Sequence, residues 1–99
     1  MDIAKMMQQA QEMQERLKQQ MNELSVEATA GGGMVRVTMN GHKHLQILQI
    51  DPNVVSKDDV EMLQDLITAA VNDAQRKVDE ALKRQLGGML GGFGIPGLT

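Results

Sequence analysis

The sequence predicts an α+β fold: a long helix, a three-stranded antiparallel sheet with a hairpin, and a second long helix, in one chain of 99 residues. Two observations predict it. Apolar residues recur at steps of three and four near the N-terminus and in the second half, which is the period of an amphipathic helix. Between these stretches apolar and polar residues alternate, which is the period of a half-buried strand. A chain of this length suits a single domain.

The first helix is predicted over residues 2–24. Gln, Glu, Lys, Met and Leu dominate this stretch, and all of them are good helix formers. Gln20 stands where the spacing would place another apolar side chain. The apolar stripe consists of Ile3, Met6, Ala10, Met13, Leu17 and Leu24, widened by Met7 and Met21.

Three strands are predicted next, over residues 25–30, 34–40 and 42–50. The glycines at 31–33 break the chain between the first two strands, as a turn would. Asn40-Gly41 predicts a two-residue type I′ hairpin turn, because both residues tolerate a positive φ. In the third strand Leu48 and Ile50 fall out of phase with the residues before them. Either a β-bulge intervenes or both faces of the sheet are covered there.

The second helix is predicted over residues 57–86. Ser56 is the expected N-cap, because its hydroxyl can accept a hydrogen bond from a free N–H of the first turn. Gly87-Gly88 is expected to end the helix. We therefore expect a single domain over residues 1–86 and a flexible Gly-rich tail over residues 87–99.

Self-association is predicted from the composition of the core and from helix length. Aromatic residues make up only 1% of the chain, so the core must use Met, Leu, Ile, Val and Ala, which bury less area each. A helix over residues 57–86 would be ~45 Å long, whereas a compact chain of about 100 residues has a radius of gyration of ~13 Å. Such a helix cannot bury its whole apolar stripe within one chain. We therefore expect a homodimer with projecting helices.

The cysteine content and the hydropathy pattern bear on the compartment. The chain contains no Cys, which excludes disulfides and thiolate metal sites and is typical of a reducing compartment. The N-terminal residues lack the apolar core of a signal peptide. No apolar run approaches the ~20 residues that a membrane span needs. We expect a cytoplasmic protein without a membrane partner.

Residues suited to catalysis are few. The only histidines are His42 and His44, and the two serines, Ser25 and Ser56, lie at element boundaries. We therefore predict that the protein is not an enzyme and uses no cofactor or small-molecule substrate. The histidines flank Lys43 on one predicted strand face, but no third ligand is apparent, so we expect no metal site. The alternatives are a polar hairpin flank and a tip that contacts phosphates.

Charge is distributed unevenly along the second predicted helix. The net charge of −3 excludes a diffuse basic field. Residues 57–73 carry five acids and one base, whereas residues 74–86 carry four bases and two acids. Matching of the helix dipole explains this pattern, and so does a basic patch for a polyanion. Acid partners at i,i+4 are available in the pairs Asp73–Lys77, Asp79–Lys83, Glu80–Arg84 and Glu12–Arg16.

The central block and both ends of the sequence resemble a known family. Residues 31–41 read GGGMVRVTMNG and are followed by Ile50-Asp51-Pro52. Residues 61–74 and the Gly-rich end at 94–98 are similar too. Together they resemble the YbaB/EbfC family of bacterial nucleoid-associated proteins. The resemblance implies a homodimer whose helices project like tweezers from a central sheet, and DNA binding that influences nucleoid organisation or gene expression. It implies no cofactor.

The resemblance and the basic end of the second helix together predict double-stranded DNA as the partner, within the nucleoid. Gln8, Gln11 and Gln14 are candidates for contacts with base edges, or alternatively form a solvated helix face. The residues predicted to contact phosphates are Lys5, Arg16, Lys18, Lys43, Arg76, Lys77, Lys83 and Arg84.

A protein–protein adaptor is the alternative function. Met6, Met7, Met13 and Met21 would then line an adaptable groove for a partner helix. The net negative charge favours this interpretation, in which DNA binding is weak or incidental. More often, a Met stripe at helical spacing belongs to a core or to a dimer seam.

Overall fold

The computed structural model describes residues 2–90. It confirms the predicted α+β order of a helix, a three-stranded antiparallel sheet and a second helix. The elements are α1 (Ile3–Glu23), β1 (Ser25–Ala30), β2 (Val35–Asn40), β3 (Leu45–Ile50), a short 3₁₀ turn (Pro52–Val54) and α2 (Val60–Leu90).

The core lies between α2 and one face of the sheet. The strand order is β1-β2-β3, so β2 is central. Alternation along β2 places Val35, Val37 and Met39 on one face, where all three are buried. Ala28 of β1 joins them, and α2 packs against this face through residues spaced four apart, which share one side of a helix. The buried α2 residues are Ala70, Ala74 and Val78.

Helix α2 begins at Val60, three residues later than predicted, and Ser56 is not its N-cap. The Ser56 hydroxyl accepts a hydrogen bond from the Asp58 N–H at 3.2 Å, and the Ser56 carbonyl accepts one from the Asp59 N–H at 3.1 Å. These bonds close a turn ahead of the helix, a local alternative that Ser and Asp favour. The Leu63 N–H donates to the Asp59 carbonyl at 3.2 Å, so Asp59 occupies the capping position.

Helix α2 also runs past its predicted end. Gly87 and Gly88 are helical, and the helix continues to Leu90. A glycine inside a helix costs only about 1 kcal/mol relative to alanine, and the good helix formers Leu and Gln before this pair and Met and Leu after it offset that cost. The predicted tail 87–99 therefore begins inside α2, and its residues 91–99 lie outside the described residues.

The turn between β2 and β3 differs from the predicted type I′ turn. It is a four-residue loop, Gly41 to His44, which we call the hairpin tip, and Lys43 alone in it has a positive φ, of 63°. The Asn40 side-chain oxygen organises the loop, because it accepts the N–H of His42 at 2.9 Å and of His44 at 3.0 Å. The prediction of a two-residue turn was wrong because Asn40 stabilises a longer loop, through its side chain and through its carbonyl, which accepts the Lys43 N–H at 3.0 Å.

A β-bulge resolves the phase change in the third strand. The register pairs Thr38 with Ile47 but Met39 with Leu45, which leaves Gln46 as the extra residue. Beyond the bulge, Leu48 lies opposite Val37 and Ile50 lies opposite Val35. Directly paired residues share a face, so Leu45, Leu48 and Ile50 all lie on the face of the sheet that α2 packs against.

Helix α1 extends away from this core. It has no buried residue, and it is joined to the hairpin tip at its last turn, where the Gly41 N–H donates to the Met21 carbonyl at 2.8 Å. The described chain measures 68 × 26 × 16 Å with a radius of gyration of 18.8 Å, against ~13 Å for a compact chain of this length. Within residues 2–90, no helix combines the length and the apolar character that crossing a membrane requires.

Candidate nucleic-acid interface

Helix α1 carries three of the predicted phosphate-contacting cations. Lys5, Arg16 and Lys18 are all exposed. None of them forms an ion pair with another residue in the 2–90 range, so the predicted Glu12–Arg16 pair is not formed. Lys5 is sixteen residues from the anchored Met21, which places it ~24 Å along the helix axis. The α1 cations therefore lie along an arm rather than on the sheet.

The predicted glutamine contacts also lie on this arm. Gln8, Gln11 and Gln14 line an open hollow on the surface of α1 together with Lys18 and two acids, Glu12 and Glu15. Amide groups of this kind can donate to and accept from base edges. The two carboxylates beside them would oppose a phosphate, so the hollow is not itself an anion site.

The hairpin tip joins the sheet to α2 through an ion pair. The Lys43 Nζ lies 2.8 Å from an Asp79 side-chain oxygen on α2. The sequence predicted His42 and His44 on a strand face, but both lie in this loop. Their rings stack with centroids 5.9 Å apart. No group of three or more residues suited to bind a metal ion occurs within the described residues.

In the middle of α2 the cations are held by acids. Arg76 contacts Asp73 at 2.6 Å and Glu80 at 2.7 Å. The hydrogen bond from Arg76 lowers the pKa of Asp73, and Asp73 in turn raises the pKa of Arg76. Lys77 donates to the Glu27 carbonyl of β1 at 2.9 Å and lies 3.7 Å from Asp73. These two cations therefore already have partners on the protein.

The ion pairs of α2 differ from those predicted for its end. The Asp73–Lys77 pair is confirmed. The other two acids pair elsewhere: Asp79 with Lys43 of the hairpin tip, and Glu80 with Arg76 of the preceding turn. As a result Lys83 and Arg84 are exposed and form no ion pair across residues 2–90.

The fold therefore sorts the eight predicted cations into two sets. One set has acid partners and surrounds the hairpin tip and the middle of α2: Lys43, Arg76 and Lys77. The other set is without ion pairs over residues 2–90 and lies on the two helical arms: Lys5, Arg16, Lys18, Lys83 and Arg84. The role of Asp79 as the anchor of Lys43 was not predicted, because the two residues are 36 positions apart in the sequence.

Comparison with known proteins identifies relatives across nearly the whole chain. The model of the YbaB/EbfC DNA-binding family matches residues 1–93. The chain is 52% identical over 96 residues to a nucleoid-associated protein of Koribacter versatilis, covering 97% of this chain and 95% of that one. It is 50% identical over 100 residues to a nucleoid-associated protein of Thermoanaerobacter pseudethanolicus, covering 98% and 90%.

A solved structure shares the fold. The crystal structure of an uncharacterized protein from Helicobacter pylori superposes with a TM-score of 0.75 at 29% sequence identity. The match covers 91% of this chain and 98% of that one.

Proposed function

We propose that this chain, which belongs to the YbaB/EbfC DNA-binding family, binds double-stranded DNA as a homodimer and thereby influences nucleoid organisation or gene expression. The relatives at about half identity are named nucleoid-associated proteins, which supports the nucleoid of the cytoplasm as the place of action. The family is a DNA-binding family and not an enzyme family.

The observation that carries DNA binding is the set of cations on the arms that lack ion pairs within residues 2–90. Lys83 and Arg84 on α2, and Arg16 and Lys18 on α1, are available for phosphate contact because none of them forms an ion pair with an acid of residues 2–90. A chain with a net charge of −3 has no attractive overall field. Local cations on the arms supply the attraction instead.

The paired cations contribute less in this proposal. Arg76 would have to leave two carboxylates, at 2.6 and 2.7 Å, to reach a phosphate. Lys43 and Lys77 likewise hold contacts that join the elements of the fold. Such surface contacts are individually weak, so a polyanion can displace them, but each displacement subtracts from the binding free energy.

Fluorescence anisotropy of a labelled duplex, titrated at several salt concentrations, tests the assignment. The double variant Lys83→Ala/Arg84→Ala should weaken binding and lower the salt slope by about 0.9 for each phosphate contact that is lost. Arg76→Ala should change the slope less, and Gln85→Ala, an exposed neutral neighbour on the same turn, should leave it unchanged. Equal slopes for the double variant and the unsubstituted protein would contradict the proposed site.

The homodimer is supported by an uncovered part of the sheet. Helix α2 packs over β1 and β2, and the face of β3 beside it stays open. On this face Leu45 and Leu48 are each 43% exposed. Adjacent apolar side chains left in water at the edge of a sheet are typical of an interface. A second copy bound at this face would bury the part of β3 that α2 leaves exposed.

The dimer has a matched test on neighbouring residues of β3. Leu48→Glu places a charge on the open face, whereas Ile47→Glu places it on the opposite face, where Ile47 is 49% exposed. Sedimentation equilibrium should show monomers for Leu48→Glu and dimers for Ile47→Glu and the unsubstituted protein. Monomers for the unsubstituted protein, or dimers for both variants, would sink this part of the proposal.

A further inference from the structure

Two acids lie among the cations in the second half of α2. Between residues 76 and 84 the only acids are Asp79 and Glu80, and both are exposed. Each of them contacts a cation that the sequence predicts to bind phosphate. An Asp79 side-chain oxygen lies 2.8 Å from the Lys43 Nζ, and a Glu80 side-chain oxygen accepts a hydrogen bond from Arg76 at 2.7 Å. The two acids therefore hold cations inside the candidate interface.

The other acids of α2 are placed differently. Glu61 and Asp65 lie in its first two turns and form no ion pair with residues 2–90. Asp73 contacts Arg76 and also lies 3.7 Å from Lys77, whose ammonium donates to a carbonyl of β1. Asp73 therefore supports the packing of α2 on the sheet. This leaves Asp79 and Glu80 as the α2 acids that hold cations without this link to the sheet.

The hairpin tip keeps its shape without the ion pair between Lys43 and Asp79. Asn40 accepts the N–H of Lys43 at 3.0 Å on its carbonyl, and those of His42 and His44 on its side chain. The backbone of Lys43 is therefore positioned by Asn40, and Asp79 holds only the ammonium. The two paired side chains are 43% and 57% exposed, and ion pairs of this kind are individually weak. A phosphate can therefore take the ammonium while the loop stays intact.

A carboxylate beside a cation weakens a phosphate contact in two ways. The cation must leave the carboxylate, and the negative charge that remains opposes the phosphate. Asp79 also lies four residues before Lys83, and Glu80 lies four residues before Arg84. This spacing places each acid on the same side of the helix as a cation proposed to contact DNA. The two acids therefore act on both sets of cations.

We propose that Asp79 and Glu80 limit the strength of DNA binding by keeping Lys43 and Arg76 from the phosphates. This inference rests on the proposed DNA binding and names the residues that restrain it. Phosphate contacts do not depend on base sequence, so the two acids lower the non-specific part of the affinity. Groups able to read base edges, such as the amides of α1, then account for a larger share of the binding free energy.

Fluorescence anisotropy of a labelled duplex tests the role of Asp79. Asp79→Asn removes the charge and keeps the shape of the side chain, so it should bind more tightly and with a steeper salt slope. One gained phosphate contact adds about 0.9 to the slope, so raising the salt from ~50 to ~200 mM should weaken binding about 3.5-fold more than in the unsubstituted protein.

The matched control is Asp65→Asn, which makes the same change of charge on an exposed α2 acid without an ion pair over residues 2–90. Asp65 lies fourteen residues before Asp79, which is ~21 Å along the helix axis. Its slope should match that of the unsubstituted protein. Equal gains for Asp65→Asn and Asp79→Asn would overturn the proposal, because the gain would then come from net charge alone.

A double-mutant cycle determines whether Lys43 makes the gained contact. In the unsubstituted protein Lys43→Ala should change the slope little, because Asp79 holds the ammonium. In the Asp79→Asn background the same substitution should remove most of the gain. A gain that keeps its size without Lys43 would mean that Asp79 does not act by holding this cation, and the proposal would be wrong.

Glu80→Gln supplies a second variant, whose ion pair lies within one helix and joins no two elements. Its slope should also rise, by less than for Asp79→Asn, because Arg76 keeps its contact with Asp73 at 2.6 Å. If circular dichroism shows that Asp79→Asn has lost helicity, Glu80→Gln decides alone. Unchanged slopes in the folded variants of a protein that binds the duplex would overturn this inference and leave DNA binding standing. Absence of binding by the unsubstituted protein and by both variants would overturn both.

Discussion

Gly41 is the residue on which the attachment of α1 depends. Its N–H donates to the Met21 carbonyl at 2.8 Å, and a Cβ at this position would stand 2.6 Å from that oxygen and 2.7 Å from the Met21 Cα. Both are backbone atoms, so no side-chain movement can relieve the clash. The glycine is required by close approach and not by its own φ, since Lys43 alone in this loop has a positive φ.

Gly41→Ala should therefore lower the free energy of unfolding by about 1–3 kcal/mol, the usual cost of overpacking a close contact. Urea denaturation measures the loss. Gly87→Ala is the control for adding a methyl group without a clash, because nothing lies within 4 Å of a Cβ placed there, and it should not lower the stability. A Gly41→Ala protein as stable as the unsubstituted one would show that α1 is not held by this contact.

The sequence predicted which charged residues belong to the candidate site, but it did not predict which acid pairs with which base. A helix spacing of four residues predicted Asp73–Lys77, which the structure contains. The same rule failed for Asp79, because Lys43 reaches it from the hairpin tip at 2.8 Å. Glu80 has a base on either side at i−4 and i+4, and only three-dimensional placement selects Arg76. The sequence gives the sign of each charge, whereas the ion-pair partner of each charged side chain depends on the fold.

At the scale of elements, periodicity predicted both α-helices and all three strands of residues 2–90, and local chemistry misplaced several of their ends. The phase change in β3 left open a bulge or a sheet covered on both faces, and the structure has the bulge, at Gln46. The helix stop at Gly87 failed because glycine marks a helix end only when it turns left-handed, and here the chain stays helical. Keeping a glycine helical costs only about 1 kcal/mol relative to alanine. The cooperativity of a long helix can offset a cost of this size, so a glycine in the sequence does not by itself fix where the helix ends.

That helical glycine gives a prediction of its own. Gly87→Ala should stabilise the end of α2 by about 0.5–1 kcal/mol, because alanine gives up less backbone freedom and meets no neighbour. Far-ultraviolet circular dichroism should show equal or greater helicity, and the melting temperature should rise. A drop in helicity would mean that α2 ends at Gly87 in solution, as the sequence alone had predicted.

The ion pair in the middle of α2 should leave a signature in acid. The hydrogen bond from Arg76 lowers the pKa of Asp73 below its ordinary value of 3.8. Because the pKa of Asp73 is lowered in the folded state, the ion pair stabilises the fold fully above the ordinary pKa of 3.8. This contribution is lost as the pH falls through the lowered pKa. Asp73→Asn should therefore melt below the unsubstituted protein at neutral pH, and the difference should shrink below pH 3.8. A difference that persists in strong acid would assign it to packing rather than charge.

At the scale of the whole molecule, the number of phosphates that can be contacted at once depends on how many copies of the chain associate. One chain offers six lysines and arginines without ion pairs over residues 2–90, namely the five on the arms and Lys57, and it measures 68 Å in its longest dimension. A duplex carries one phosphate charge per ~1.7 Å of its axis. Two copies held together double the number of phosphates that can be contacted in a single binding event. Neither the sequence pattern nor one chain's geometry fixes how many contacts form at once.

The salt dependence of binding counts those contacts, so it should change with oligomeric state. If both copies of the dimer grip one duplex, Leu48→Glu should roughly halve the slope of log affinity against log salt, because each lost contact removes about 0.9 from it. Ile47→Glu adds the same charge on the other face of β3 and should retain the full slope. A Leu48→Glu monomer with an undiminished slope would mean that one chain makes all the contacts. The second copy would then serve to join two duplexes rather than to hold one.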